Sequence, residues 1–164
     1  MNNAELTALR ASNIPRGVPA TAPVYVAKAR NAVVTDVEGK EYVDFAAGIG
    51  VMNVGHCHPK VITAVKAQAD LYSHTCFGLV GYESYLRLAE KLNQLTPGDF
   101  PKRTCFLNSG AEAVENAIKI ARYATGRKSV IAFEDAFHGR TFMTLSLTSQ
   151  VSPYKVGFGP YASD

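Results

Sequence analysis

The run Asn108-Ser109-Gly110-Ala111-Glu112-Ala113 has the residue types of an anion cradle. Gly110 and Ala111 carry almost no side chain, so a ligand can reach their backbone N–H groups. If a helix starts there, those amides and the positive end of the helix dipole together hold a phosphate. Ser109 and Glu112 fit a capping box, in which the hydroxyl takes the N3 amide and the carboxylate returns to the cap amide. The second run is Ala136-Phe137-His138-Gly139-Arg140-Thr141. Phe137 can cover the flat face of a heterocycle, and His138 can hydrogen-bond or stack beside it. Gly139 lets the backbone turn closely, and Arg140 offers a planar fork to a carboxylate. Each run alone reads more simply as a tight turn with a cap, or as a surface loop with one buried Phe. Their placement after neighbouring strands is what favours a ligand site.

Other chemistries fit less well. There is no G-x-x-x-x-G-K-[ST], and the glycines near Gly48 do not form G-x-G-x-x-G. His56, Cys57, His58, His74 and Cys76 are zinc-ligand types. They lack a second cluster at finger spacing, so they read as loop residues and no metal is expected.

The elements that must position these residues follow from pattern. Val24–Val26, Ala32–Asp36 and Tyr42–Phe45, with a turn at Glu38-Gly39-Lys40, predict a small antiparallel meander. Gly48 to His58 is a glycine-rich stretch, and Pro59 suits the first position of a helix carried on by Val61, Ile62, Val65 and Ala69. A second amphipathic helix runs from about Tyr82 to Leu95, ended by Pro97-Gly98. Cys105-Phe106-Leu107 and Ser129–Phe133 read as buried strands. Between them Gly110–Thr125 is the strongest helix, with Val114, Ala117, Ile118 and Ala121 as its stripe and Gly126 as its cap. Strand, helix, strand is a βαβ unit, which implies a parallel sheet with both faces covered. Two such strands are too few for a sheet, so the chain is expected to break off inside a larger domain. Arg140 to Leu147 is left open between helix and strand. Val151 to Asp164 reads as a loop cut in mid-course.

The composition is globular: 164 residues, 47% hydrophobic and 19% charged. The formal charge of +3 is spread without a block of like charges, so no nucleic-acid partner is expected. No apolar run reaches the ~18 residues a membrane helix needs. Residues 1–16 lack an apolar signal core and read as a short amphipathic start. Three cysteines do not make a disulfide framework, which makes a reducing cytoplasm the simplest compartment.

The run from Asn108 to Arg122 (NSGAEAVENAIKIAR), followed by Phe137-His-Gly-Arg-Thr141, resembles the class III (ω-amino acid) aminotransferases of pyridoxal-phosphate fold type I. Asp36–Phe45 and Gly55-His-Cys-His-Pro59 resemble the same family. Ile14–Gly17, Ser73–Phe77, Pro97–Phe100 and Val114–Ala117 resemble its branch acting on 4-aminobutyrate. The resemblance implies an α/β fold, incomplete here: an N-terminal small-domain segment with the meander (1–58), then the first part of the large parallel-sheet domain (59–164). It implies pyridoxal 5'-phosphate as cofactor, held by Ser109, Gly110 and Ala111, with Phe137 on its ring and His138 and Gly139 beside it. Ile49 would line the substrate pocket, and Arg140 would bind the carboxylate of 4-aminobutyrate or glutamate. The implied reaction moves the amino group of 4-aminobutyrate to 2-oxoglutarate. A homodimer is implied, with residues 73–83 near its interface.

By the same resemblance the family's cofactor-bearing lysine lies beyond residue 164, and none of the lysines here matches it. No catalytic residue is assigned. The isolated chain is expected to bind the cofactor poorly, to be inactive, and to expose apolar sheet surface. The alternatives are another class III enzyme, of the ornithine, acetylornithine or diaminobutyrate type, or a truncated product without chemistry.

Overall fold

The computed structural model describes residues 1–161. They form two compact units, Met1–Val80 and the residues from Gly81 onward.

The first unit starts with helix α1 (Asn3–Asn13). Asn2 caps it reciprocally: its side chain accepts from the Glu5 amide at 2.8 Å, and Glu5 accepts from the Asn2 amide at 2.9 Å. Strands β1 (Val26–Arg30), β2 (Val33–Asp36) and β3 (Glu41–Val43) make an antiparallel sheet in the order β1-β2-β3. The expected meander is present. Its first strand is shifted towards Arg30, because pairing with β2 from Arg30↔Val33 to Val26↔Asp36 sets its extent. The turn into β3 is organised by Asp36, only 2% exposed. Its carboxylate accepts from the Glu38 and Lys40 amides at 2.9 Å, the Tyr42 hydroxyl at 3.1 Å and the Asn3 side chain at 3.0 Å. One buried carboxylate thus ties α1 to the sheet.

After β3 the chain enters the glycine-rich stretch. Asp44 Oδ1 accepts from the Ala46 and Ala47 amides at 3.0 and 2.9 Å, and Oδ2 meets His56 Nε2 at 2.7 Å. Asn31 and His56 pair through their backbones. Between these anchors lies α2 (Ala47–Gly50), a single distorted turn in which Gly48 and Ile49 both have φ of 61°. Helix α3 (Pro59–Ala69) follows with Pro59 in its first turn, as expected.

The His56 hydrogen bond, then the Ala47 amide, hold the Asp44 carboxyl below the ordinary aspartate value of 3.8, against a partial burial that opposes ionisation. A depressed folded-state pKa stabilises above the unfolded-state value and is lost as pH falls through the folded one. The urea midpoint of the first unit should therefore fall with acidification below about pH 5, and Asp44→Asn should flatten that fall. An unchanged acid profile in the variant would show that the carboxylate is not coupled to folding.

The second unit carries α4 (Glu83–Leu95), α5 (Gly110–Thr125) and α6 (Phe142–Leu147). Helix α5 has the predicted limits, and Gly126 closes it in the left-handed region at φ 69°. The segment left open between helix and strand is α6 from Phe142. Among the described residues the buried apolar side chains are Ile118 of α5 and Leu145 of α6, and Thr144 and Thr148 are fully buried.

The two buried strands of the expected βαβ unit are not formed. Residues 104–107 and 128–133 have no ladder partner among the described residues. Thr104 instead donates to Asn93 of α4 at 2.8 Å, and the Phe106 amide donates to the Tyr85 hydroxyl at 3.2 Å. The rings of Tyr85 and Phe106 meet edge to face at 4.6 Å. Ile131 and Phe133 are 89% and 77% exposed, and Cys105 is exposed. An apolar pattern marks a surface to be covered, but a ladder also needs a second strand alongside. Residues 162–164 of the expected terminal loop lie outside the described residues. No helix among the described residues is long and apolar enough to cross a membrane.

Candidate functional site

Helix α5 begins at an open end. Ser109 is its cap and accepts from the Glu112 amide at 3.2 Å. The capping box is only half as predicted. Glu112 turns one residue further back and accepts from the Asn108 amide at 2.7 Å, not from Ser109. Among the described residues no protein acceptor takes the amides of Ser109, Gly110 or Ala111. Space around Gly110 is open: a Cβ there would meet nothing within 4 Å. Unpaired amides at the positive end of a 16-residue helix present partial positive charge to a ligand.

The second predicted segment packs against this end. A cavity of about 580 Å3 is lined by Gly110, Ala111, Val114, Phe137, His138, Gly139, Arg140 and Thr141. Five of the predicted cofactor-site residues and Arg140 are therefore brought together, with Ser109 capping the helix that supplies the amides. Ile49 belongs to the first unit, on the α2 turn, and is 96% exposed. Phe137 is 55% exposed and leans on Tyr154, with ring centroids 5.2 Å apart. His138 Nε2 is buried and has no hydrogen-bond partner among the described residues. The Arg140 side chain is exposed, and none of the described ion pairs includes it.

Gly139 lets the two segments touch. It is buried at φ 131°, and a Cβ built on it would lie 2.8 Å from both the Ala111 Cβ and the Thr144 Oγ1. Neither neighbour can move freely, since Ala111 is in α5 and Thr144 is buried in α6. Gly139→Ala should cost about 1–3 kcal/mol through overpacking. Urea unfolding of the purified chain measures this, and an unchanged midpoint would mean the two segments do not meet as described.

Sequence reasoning missed the threonines that hold this loop. Thr141 and Thr144 form a reciprocal cap at the start of α6. Thr148 Oγ1 accepts from the His138 amide at 3.2 Å. The signal was available: Thr141-x-x-Thr144 before an apolar run, with Thr148 one turn on. It was hidden because the segment showed no clear period. No group of three or more metal-ligand side chains occurs among the described residues, and the cysteines are free and exposed.

The geometry is that of an anion cradle, an exposed aromatic ring and a guanidinium without an ion-pair partner around one cavity, carried between α5 and the segment that leads into α6. The chain belongs to the class III aminotransferase family, whose family model matches residues 14–164. Over 157 residues it is 56% identical to the 5-aminovalerate aminotransferase of Pseudomonas aeruginosa, covering 96% of this chain and 37% of that protein. Over 158 residues it is 54% identical to the 4-aminobutyrate aminotransferase of Escherichia coli, covering the same shares. It superposes on the taurine:2-oxoglutarate aminotransferase of Bifidobacterium kashiwanohense, solved in complex with PLP and glutamate, with a TM-score of 0.81 at 29% identity. That match covers 91% of this chain and 34% of the other. The fold is thus that of the corresponding part of fold-type-I aminotransferases. The chain spans little more than a third of the length of the curated relatives it matches.

Proposed function

We propose that this chain supplies the phosphate- and ring-binding side of a pyridoxal 5'-phosphate site in an ω-aminotransferase that moves the amino group of 4-aminobutyrate to 2-oxoglutarate. The observation that carries the reading is that Gly110 and Ala111, whose amides have no acceptor among the described residues, line the same cavity as Phe137, His138 and Arg140. The residues fit the cofactor. A phosphate dianion needs small residues and free N–H donors, which Gly110 and Ala111 provide. A pyridine ring needs a flat apolar partner, which the exposed Phe137 offers. The buried, unpaired His138 Nε2 would otherwise cost about 1–3 kcal/mol, and a polar group of the ligand relieves it. When bound, pyridoxal phosphate serves as an electron sink and carries the amino group between the two half-reactions.

The roles of this chain's residues follow. Ser109 keeps the helix start ordered while leaving its own amide and the next two for the ligand. Gly139 brings the aromatic segment against those amides. Arg140 holds a substrate carboxylate through charge-assisted bonds and so orients the distant amine. Ile49 would line the substrate pocket. No residue here is assigned the proton transfer. Residues 1–58 form the N-terminal segment and 59–164 the start of the cofactor domain, in a cytoplasmic homodimer.

A second reading, 5-aminovalerate as amino donor, is favoured by the 56% identity to the Pseudomonas enzyme. The two donors differ by one methylene, which a pocket discriminates by only about 1–3 kcal/mol. The product of the complete reading frame containing this chain should be purified with pyridoxal phosphate and assayed with 2-oxoglutarate and 4-aminobutyrate, 5-aminovalerate or ornithine. A higher kcat/KM for 4-aminobutyrate supports the first reading, and one for 5-aminovalerate selects the second. A preference for ornithine, or no turnover with any of them, would overturn both.

A further inference from the structure

We infer that Glu115 is a positioning residue that acts through Thr141 to set the Phe137–Arg140 segment; this rests on the proposed function of that segment. Glu115 lies on α5, half-buried, one residue past the cavity-lining Val114. The Thr141 hydroxyl donates to its Oε1 at 2.6 Å. That bond joins the helix that carries the phosphate-binding amides to the residue directly after Arg140.

The carboxylate also fixes the direction of the Thr141 hydroxyl. A carboxylate only accepts, and a threonine hydroxyl has one proton to give. Thr141 spends that proton on Glu115. Thr144 therefore turns its single proton towards Thr141, whose hydroxyl lies at 2.8 Å and whose carbonyl lies at 3.1 Å. The Thr144 oxygen in turn accepts from the Thr141 amide at 3.0 Å. Thr144 is fully buried, so this orientation leaves its hydroxyl satisfied. Its carbonyl takes the Thr148 hydroxyl at 2.9 Å, and the Thr148 oxygen accepts from the His138 amide. Glu115 is thus bonded to the first residue of the α6 cap, and a separate pair of bonds, from Thr148 to the Thr144 carbonyl and from the His138 amide to Thr148, ties the other end of the segment to the same helix. Arg140 sits between two fixed neighbours, Gly139 packed on Ala111 and Thr141 bonded to Glu115, while its own side chain stays exposed.

Two readouts test this. The first is amide hydrogen exchange of residues 138–142 in the chain itself, which requires no cofactor or turnover. Glu115→Ala should speed that exchange about tenfold or more, the loss of one charge-assisted bond, while Glu115→Gln, whose amide oxygen still accepts, should stay within about threefold. The second is the split of KM from kcat in the product of the complete reading frame. Glu115→Ala should raise KM for the ω-amino acid about tenfold with kcat changed less than about threefold, and Glu115→Gln should restore it. Thr141→Val removes the same contact from the other side and stands in if Glu115→Ala does not fold; Thr141→Ser keeps it. Unchanged exchange in Glu115→Ala or Thr141→Val would overturn the inference. So would a Glu115→Gln variant as impaired as Glu115→Ala, since that would make charge, not the bond, responsible. If the unsubstituted protein binds no pyridoxal phosphate, the proposed function fails, and the exchange readout still decides whether the clamp exists.

Discussion

Arg140→Ala should lower kcat/KM for the ω-amino acid by about 30-fold or more, because truncating one partner of a charge pair desolvated by the bound substrate costs about 2–5 kcal/mol. Arg140 lines the cavity, is exposed and has no partner among the described ion pairs, so its charge is available to a ligand. The loss should depend on the carboxylate of the substrate. A primary amine of the same length without a carboxylate should be turned over by variant and parent at rates within about threefold, since uniform binding through Arg140 is then absent from both. Arg140→Lys should recover only part of the activity. An ammonium matches the charge but not the planar two-point geometry. Equal losses for both amines would remove Arg140 from carboxylate recognition and leave it a structural role.

The second large effect concerns the amide of Gly110. Residue 110 is the first position of α5, where proline is tolerated because its N–H has no helical partner. Ser109 already has an extended backbone, φ −150° and ψ 162°, which is what a residue before proline requires. A side chain at 110 meets open space. Gly110→Pro therefore keeps the helix and deletes one phosphate donor. The expected result is a weakening of pyridoxal phosphate binding by about 10–100-fold, the worth of a hydrogen bond to a charged group. Circular dichroism should show unchanged helix content. Titration of the cofactor on the product of the complete reading frame reads the affinity. If helix content holds and affinity does not fall, the phosphate is bound elsewhere.

Much of this site was legible because it is written in local rules. The limits of α5, its serine cap and its glycine stop depend on residues within one turn of each end, and all three are as the sequence implied. Proline at the start of α3 is a similar case. The strands around it were not legible in the same way. The runs at 105–107 and 129–133 are apolar enough to be buried strands, yet they have no ladder and stand partly or largely exposed. Strand pairing is a relation between distant segments, and an apolar run specifies only that it seeks cover.

The sequence by itself determined the chemical inventory: small residues with free amides, an aromatic ring, a histidine and a guanidinium, in two runs about thirty residues apart. It also determined the helix that opens on those amides, since capping is set by neighbours in the chain. Tertiary structure alone decided that Gly139 packs on Ala111 and so makes the two runs one cavity. It alone placed Glu115 against Thr141 across 26 residues of chain. Those contacts depend on how α5 meets the segment that includes α6, and packing of distant segments is not encoded in the spacing of either one.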